Sequence, residues 1–475
     1  MKLPILATAQ PGKSVEQGKQ EVVNMYFSEN KGNELYPMIA HSRPGLKTWK
    51  SNTGQSVRAV HAQNTKLYFI IGSTLYSIDK YLTQTNLGSI LTTEGICQIK
   101  GIANRLLIND QRDGWIFNIT TNVLTKIDPA QGFPEGTTTV TSLDGYFIAH
   151  LPDSDSFYWS TLTSPQTWAA LDFSSAESNP DNIVAVTTFL RRLFFIGSNS
   201  TEIWFNTGDA TSPFARIEGV FINYGTSAPH SVAVGAQNLY FLGQGNNGQL
   251  GIVSLDRSYN DKLISSETMT QELVTYTTVD DAVGLTYQRE GKEFYVISFP
   301  TEDKTWVYDQ VSDMWYRYTS WNGAGERRWL PNNHAAFAGK NLVGDSRSGN
   351  IYELDNETLT DNGEIIIRKI RTNPLAIKDM GSMFIHRVEV DIESGQGSVS
   401  GQGEDPVMML RASLDGGFSF SNVSSRKAGK IGEYLRRVYW NKIGSSRRCV
   451  LEFTMSDPIK WTILGAWVQA SKGRE

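Results

Sequence analysis

Five cations, Arg436, Arg437, Lys442, Arg447 and Arg448, stand among bulky residues in "LRRVYWNKIGSSRRCVLEF", residues 435–453. Arginine grips phosphate or carboxylate bidentately and aromatic rings supply apolar burial, so the mixture suits either a nucleic-acid backbone or a protein interface. In an extended strand side chains alternate: Leu435, Arg437, Tyr439 and Asn441 share one face, and Arg436, Val438, Trp440 and Lys442 the other. Neither face is purely basic. Arg447 and Arg448 follow Gly444, where a turn is expected, so the cations should gather at one end of a hairpin instead of lining a groove. Subunit contact is the favoured reading; phosphate contact and a plain solvated face are the alternatives.

Other chemistry finds little support. His41, His61, His150, His230, His334 and His386 show no HxH, HExxH or HxxxH spacing, so no local metal motif and no cofactor is expected. A GxSxG elbow and a GxxxxGK[ST] loop are both missing from the sequence. Asp280 with Asp281, and Asp153 with Asp155, could serve as glycosidase acids only if they met in space, and in such loops they read as solvated turn residues. "SLDGGFSF" carries Ser413, Asp415, Gly417, Ser419 and Phe420 in Ser-x-Asp-x-Gly-x-Ser-aromatic order, which resembles the Asp-box hairpin of sialidase-like propellers. There too it is a structural turn: Asp415 closes the loop while Gly416 and Gly417 accept positive φ.

The elements that must position these residues are mostly strands. The chain has 475 residues, 40% hydrophobic and 11% aromatic, enough for two or three cores. Its Val, Ile, Tyr, Phe and Trp runs are short and cut by Gly, Asn, Asp and Ser, the pattern of strands and turns. "GSTLYSID" (72–79), "DGWIFN" (113–118), "TWVYD" (305–309) and "SGNIYELD" (348–355) each end an apolar strand in Asp or Asn. The steps between them, 39 residues from Asp79 to Asn118 and 46 from Asp309 to Asp355, match one four-stranded propeller blade. In "WVYDQVSDMWYRY" the turn at Asp309 runs straight into a strand bearing Trp315, as in a kelch-type hairpin. "SSETMTQELVTY" (265–276) alone reads as a helix start, capped by Ser266 or Thr268.

From "GEIIIRKIRTNPLAIKD" onward the strands lengthen and alternate, giving one wet and one dry face. The expectation is a mainly β protein with an N-terminal arm (1–39), a β-propeller-like domain of six or seven blades (40–365) and a C-terminal antiparallel β-sandwich (366–475). Net charge is -5 with pI near 5.8. From Ile366 onward 17 Lys/Arg face 11 Asp/Glu, a local +6, which leaves -11 for the first 365 residues. That balance argues against a general DNA-binding module. Cys97 and Cys449 form no spaced framework, and the N-terminus offers no signal-like or membrane-spanning run.

Several motifs in order, "FSSAESNPDNIVAV", "RRLFFIGSNSTEIWFNTGD", "YGTSAPHSVAVGAQNLYFLGQ", "KTWVYDQVSDMWYRY" and "LVGDSRSGNIYELD", resemble the packaged-DNA stabilisation, or tail hub, proteins of short-tailed bacteriophages. "VVNMYFSEN", "SRPGLKTW" and the C-terminal "RASLDGGFSFSNVSS" and 435–453 stretches extend the likeness to about residues 20–470. The resemblance implies a non-enzymatic virion protein made in the host bacterial cytoplasm. It would form a homohexameric ring beneath the portal-bound adaptor, contact the tail needle and tailspikes, and pass genomic DNA without sequence-specific binding or membrane contact. "SAESNPDNI" reads as a loop reaching a neighbour or, equally in pattern, as a buried turn inside the propeller. The competing expectation is a carbohydrate-binding or carbohydrate-cleaving propeller, suggested by the Asp-box match.

Overall fold

The computed structural model describes residues 2–4, 20–30, 37–168, 173–176, 181–209, 211–245, 248–377 and 381–473. Seven sheets form the blades of a propeller, over residues 57–89, 98–126, 140–175, 183–216, 224–263, 283–317 and 331–355. The four strand-end motifs fall in equivalent places: Thr74–Asp79, Gly114–Asn118, Lys304–Asp309 and Ile351–Asp355 are each the third strand of blades 1, 2, 6 and 7. Their terminal side chains start the next turn. Asp79 Oδ1 accepts from the Tyr81 and Thr83 amides, Asn118 Oδ1 from Thr120, Asp309 Oδ1 from Val311 and Asp355 Oδ1 from Glu357. Asp256 does the same in blade 5, from Ser258 and Asn260, so one local device recurs around the ring.

Blades pack face to face, which is why "RLFFIG" and "EFYVISF" are continuously apolar instead of alternating. Phe157 of blade 3 stacks on Phe195 of blade 4 at 4.0 Å, and Tyr240 of blade 5 on Tyr295 of blade 6 at 5.0 Å. Each fully buried ring contributes about 1.5–3 kcal/mol. The helix Glu267–Val274 fills the space between blades 5 and 6. Ser266 caps it by accepting from the Met269 amide, and Met269 and Leu273 point into the core.

The ring closes through the N-terminal side of the chain. Gly45–Lys50 supplies the outermost strand of blade 7 by pairing antiparallel with Ile351–Asp355. Gly45 is required by space: a Cβ there would lie 2.2 Å from the Thr358 carbonyl oxygen.

The sandwich has two sheets. One runs Met25–Glu29, Met38–Ser42, Thr462–Lys472, Met383–Ile392, Val438–Ser446, with Lys2–Pro4 also on Thr462–Lys472. The other runs Glu21–Val23, Arg368–Arg371, Val450–Met455, Val407–Ser413, Ser424–Lys427. The segment expected to be an arm is therefore corrected: the described residues between 20 and 42 are strands of the sandwich, because their apolar side chains (Val22, Met25, Phe27, Ala40) fill its core. Glu21–Val23 also bridges in parallel to Arg317 of blade 6, so one continuous sheet joins the propeller to the sandwich. Among the described residues no helix is long and apolar enough to cross a membrane.

The junction holds a buried ionic network. The Arg43 side chain donates to Asp361 at 2.9 and 2.6 Å, to Asn24 Oδ1 at 2.8 Å and to the Thr319 carbonyl at 2.8 Å, with Tyr318 and Trp329 each 5.6 Å from its guanidinium. Asn24, at φ 57, also donates to Thr319 Oγ1 and to the Ile367 carbonyl. Residues distant in sequence are thus locked together at one point.

Candidate assembly interface

The 435–453 stretch is not a hairpin. Val438–Ser446 is the edge strand of the first sandwich sheet and Val450–Met455 lies inside the second, so the chain arches from one sheet to the other. Val438 and Trp440 are buried while Tyr439 and Asn441 are exposed, as alternation demands. Leu435, Arg436 and Arg437 precede the strand. Gly444 lies within it, and a register shift opposite Ile385 and Arg387, with Lys442 at φ 57, breaks the alternation. The nine-residue strand puts ~30 Å between the Arg436–Arg437 pair and Arg447. The expectation that the cations gather at one end is therefore corrected: they occupy both ends and a central bulge of one exposed edge.

Arg436, Arg437, Lys442 and Arg447 are exposed and Arg448 is half-buried. Arg437 donates to Glu389 at 2.6 Å, and Arg387 lies 3.9 Å over the Tyr439 ring. Arg436, Lys442 and Arg447 make no ion pair among the described residues. Beside the first pair a cleft of about 530 Å³ is lined by Glu389, Asp391, Tyr434, Leu435, Arg436 and Trp467, among others. Leu435 is 95% exposed and Tyr434 70%. Ile431, Phe418, Val423 and Leu414 add further exposed apolar surface to the same domain. Exposed apolar groups rimmed by charge are the composition of a contact surface. Ile431 and Tyr434 escaped the strand-based reading because they lie in a Gly-containing loop with no alternation, and Leu435, read as part of the strand, belongs to that loop instead; their presence in "GKIGEYLRR" was the available signal.

Ser413, Asp415 and Gly417 build the turn that ends Val407–Ser413. Ser413 Oγ donates to Asp415 at 2.6 Å and accepts from the Gly417 amide at 2.7 Å, while the Phe418 and Ser419 amides and Ser419 Oγ donate to Asp415. Hydrogen bonds from Ser413 and then Ser419 hold the Asp415 carboxyl well below the usual carboxylate range. The turn lifts Phe418, 75% exposed, off the sheet. Phe420 instead sits between the guanidinium groups of Arg371 and Arg411, 5.2 Å from each. Both arginines bind Glu452. Burial pushes the Glu452 carboxyl up, but these hydrogen bonds outweigh it and leave it below its ordinary value. Asp309 and Trp315 lie in blade 6: Asp309 pairs with Lys292 at 2.7 Å, and the buried Trp315 donates to the Ile264 carbonyl at 2.8 Å.

No group of three or more metal-ligating side chains occurs among the described residues. Asp155 accepts from Ser156 Oγ and Asp281 from the Thr301 amide, both turn duties. Burial lowers His150 and His230 to about 4, and burial raises the Cys97 and Cys449 thiols to about 12. Residues 177–180 of the loop expected to reach a neighbour lie outside the described residues.

The architecture is thus a closed seven-bladed propeller fused through one sheet to a sandwich with a basic and apolar outer edge. Family models place it further. The chain belongs to the bacteriophage P22 Gp10 family, whose β-propeller model matches residues 1–359 and whose β-sandwich model matches residues 370–471. This is the packaged-DNA stabilisation, or tail hub, family, and its members are structural components of the phage tail. Curated proteins yield no sequence match. Among solved structures, the Neurospora crassa Pan2 WD40 domain is 8% identical, covering 66% of this chain and 94% of its own, with a TM-score of 0.40. The N-terminal domain of Nup159 is 8% identical over 74% and 99%, with a TM-score of 0.42. An extracellular domain of BT4673 from B. thetaiotaomicron is 10% identical over 66% and 39%, at 0.45.

Proposed function

We propose that copies of this chain assemble as a ring, a homohexamer, beneath the portal–adaptor complex of the virion. The ring extends the DNA channel, helps close it to retain the packaged genome, and forms part of the conduit at ejection. Its partners are further copies of itself, the adaptor, the tail needle and tailspike or fibre proteins, and assembly takes place in the host bacterial cytoplasm. The role is non-enzymatic.

The observation that carries this reading is the match of both halves of the chain, in order, to one tail-protein family. The outer edge of the sandwich adds physical support. A stable subunit contact buries about 1,600 Å² around an apolar centre with a charged rim, and Leu435 and Tyr434 beside Arg436 and Arg437 have that composition. The charge distribution is consistent with a conduit: the first 365 residues carry -11, which disfavours tight capture of a sliding polyanion. The Asp-box turn lies in the sandwich and in no blade, so it lends no weight to a glycan-active propeller.

The test is assembly onto portal–adaptor particles that lack a hub. Arg436→Glu with Arg437→Glu, and separately Arg447→Glu with Arg448→Glu, should leave the isolated chain folded with a cooperative thermal transition and abolish its co-sedimentation with the particles. Unimpaired assembly of both variants would remove the outer edge from the proposal.

A further inference from the structure

The innermost strands of the blades surround an axial cavity of about 340 Å³. Its lining holds two cations, Arg58 and Lys100, with hydroxyl and amide groups such as Thr187 and Asn332, and contains no carboxylate. The two cations differ. Arg58 is consumed by its own surroundings, donating to the carbonyls of Gly72, Thr92 and Gly95. Lys100, on the innermost strand of blade 2, makes no hydrogen bond and no ion pair among the described residues. It is half-buried at the cavity wall, and burial lowers its ammonium pKa. An ammonium held in such a place without a counter-charge is costly, and groups of that kind concentrate at binding sites.

A second donor is left over nearby. The Gln111 side-chain amide, from a turn of blade 2, donates to His230 Nε2 at 2.7 Å across the ring. Nε2 therefore accepts, the ring proton sits on Nδ1, and that buried Nδ1–H has no partner. His230 also lines the cavity.

We propose that the axial cavity binds a small hydroxylated molecule bearing one phosphate or carboxylate group, with Lys100 as the counter-cation and the threonine and asparagine side chains meeting its hydroxyls. The volume stands at the lower end of ligand pockets, about 300–1,000 Å³, which fits a monosaccharide-sized anion. The site is complete within one subunit and is independent of ring assembly.

Calorimetric titration of the full-length chain with glucose 6-phosphate, glucuronate and glucose tests this. At least one of the two anions should bind, and Lys100→Gln should weaken it by about tenfold or more. Binding of the phosphate alone, of the carboxylate alone, or of both assigns the anionic group. A second readout uses wild-type protein with ¹³C-dimethylated lysines: the Lys100 resonance should move with the bound anion and stay still with glucose. Absence of binding by either anion, equal affinity in Lys100→Gln, or glucose binding as tightly as the anions would overturn the proposal.

Discussion

Replacing Asp361 by alanine strikes the propeller–sandwich junction at its most charged point. Its carboxylate accepts from Arg43 at 2.9 and 2.6 Å and from Ser320 Oγ at 2.7 Å, and both members of the ion pair are fully buried. Arg368 is buried beside them. Burial and then repulsion from Arg43 lower its guanidinium to about 9, and the Asp361 charge opposes that drop. Removing the carboxylate thus leaves two buried cations facing each other. Breaking a buried pair from one side costs about 3–5 kcal/mol. The second cation moves the case towards the upper end, while the bonds Arg43 keeps to Asn24, Pro44 and Thr319 limit it, so a loss of about 4 kcal/mol is expected for Asp361→Ala. Urea unfolding followed by tryptophan fluorescence reports it, since Trp329 lies against Arg43. Arg43→Met with Asp361→Leu removes both charges and should be less destabilising than the single change. An Asp361→Ala variant within about 1 kcal/mol of wild type, or a double variant worse than the single, would show that the buried pair does not hold the junction.

Ring closure gives a second prediction: Gly45→Ala must displace backbone at Thr358 and should cost about 2 kcal/mol or more in thermal unfolding, whereas Gly325→Ala, where a Cβ meets nothing within 4 Å, should be silent. The buried histidines give a third. His150 and His230 titrate at about 4 when folded, against about 6.5 in an unfolded chain. Below pH ~6.5 the unfolded state binds protons that the folded state refuses, so stability falls from about pH 6.5 towards pH 4, by about 2–3 kcal/mol per histidine at pH 4.5. His150→Gln with His230→Gln should reduce the difference between melting curves at pH 7.5 and 4.5, with His41, His61 and His334, also lowered by burial, keeping the remainder; an unchanged pH dependence would contradict it. At the outer edge, Leu435→Asp should keep the melting temperature and weaken particle binding, and a variant that assembles normally would place the contact elsewhere.

Much of the propeller was legible because its signals are local. Asp79, Asn118, Asp309 and Asp355 end third strands for a reason contained within a few residues, the capture of amides in the following turn. Their spacing then gives the blade length. Closure was not legible, because Gly45–Lys50 pairs with a strand some 300 residues away, and nothing in either segment names its partner. The same holds for Glu21–Val23, whose three residues bridge blade 6 and the sandwich, and for Arg43 with Asp361, 318 residues apart. In the 435–453 stretch, alternation put Val438 and Trp440 on one face with Arg436 and Lys442, and only the structure shows that the two apolar residues point inward while the two cations are exposed. Alternation could not reveal that the two strands belong to different sheets, since a hairpin and an arch share one local pattern. The separation of the five cations follows from that difference.

The proposed ring on the portal–adaptor complex can be seen by electron cryomicroscopy of the purified chain mixed with hub-less portal–adaptor particles. Sixfold density capping the channel, with the Val438–Ser446 edge at a contact with the adaptor or a neighbouring copy, is the predicted result. A chain that stays monomeric and leaves the particles bare would rule the ring out.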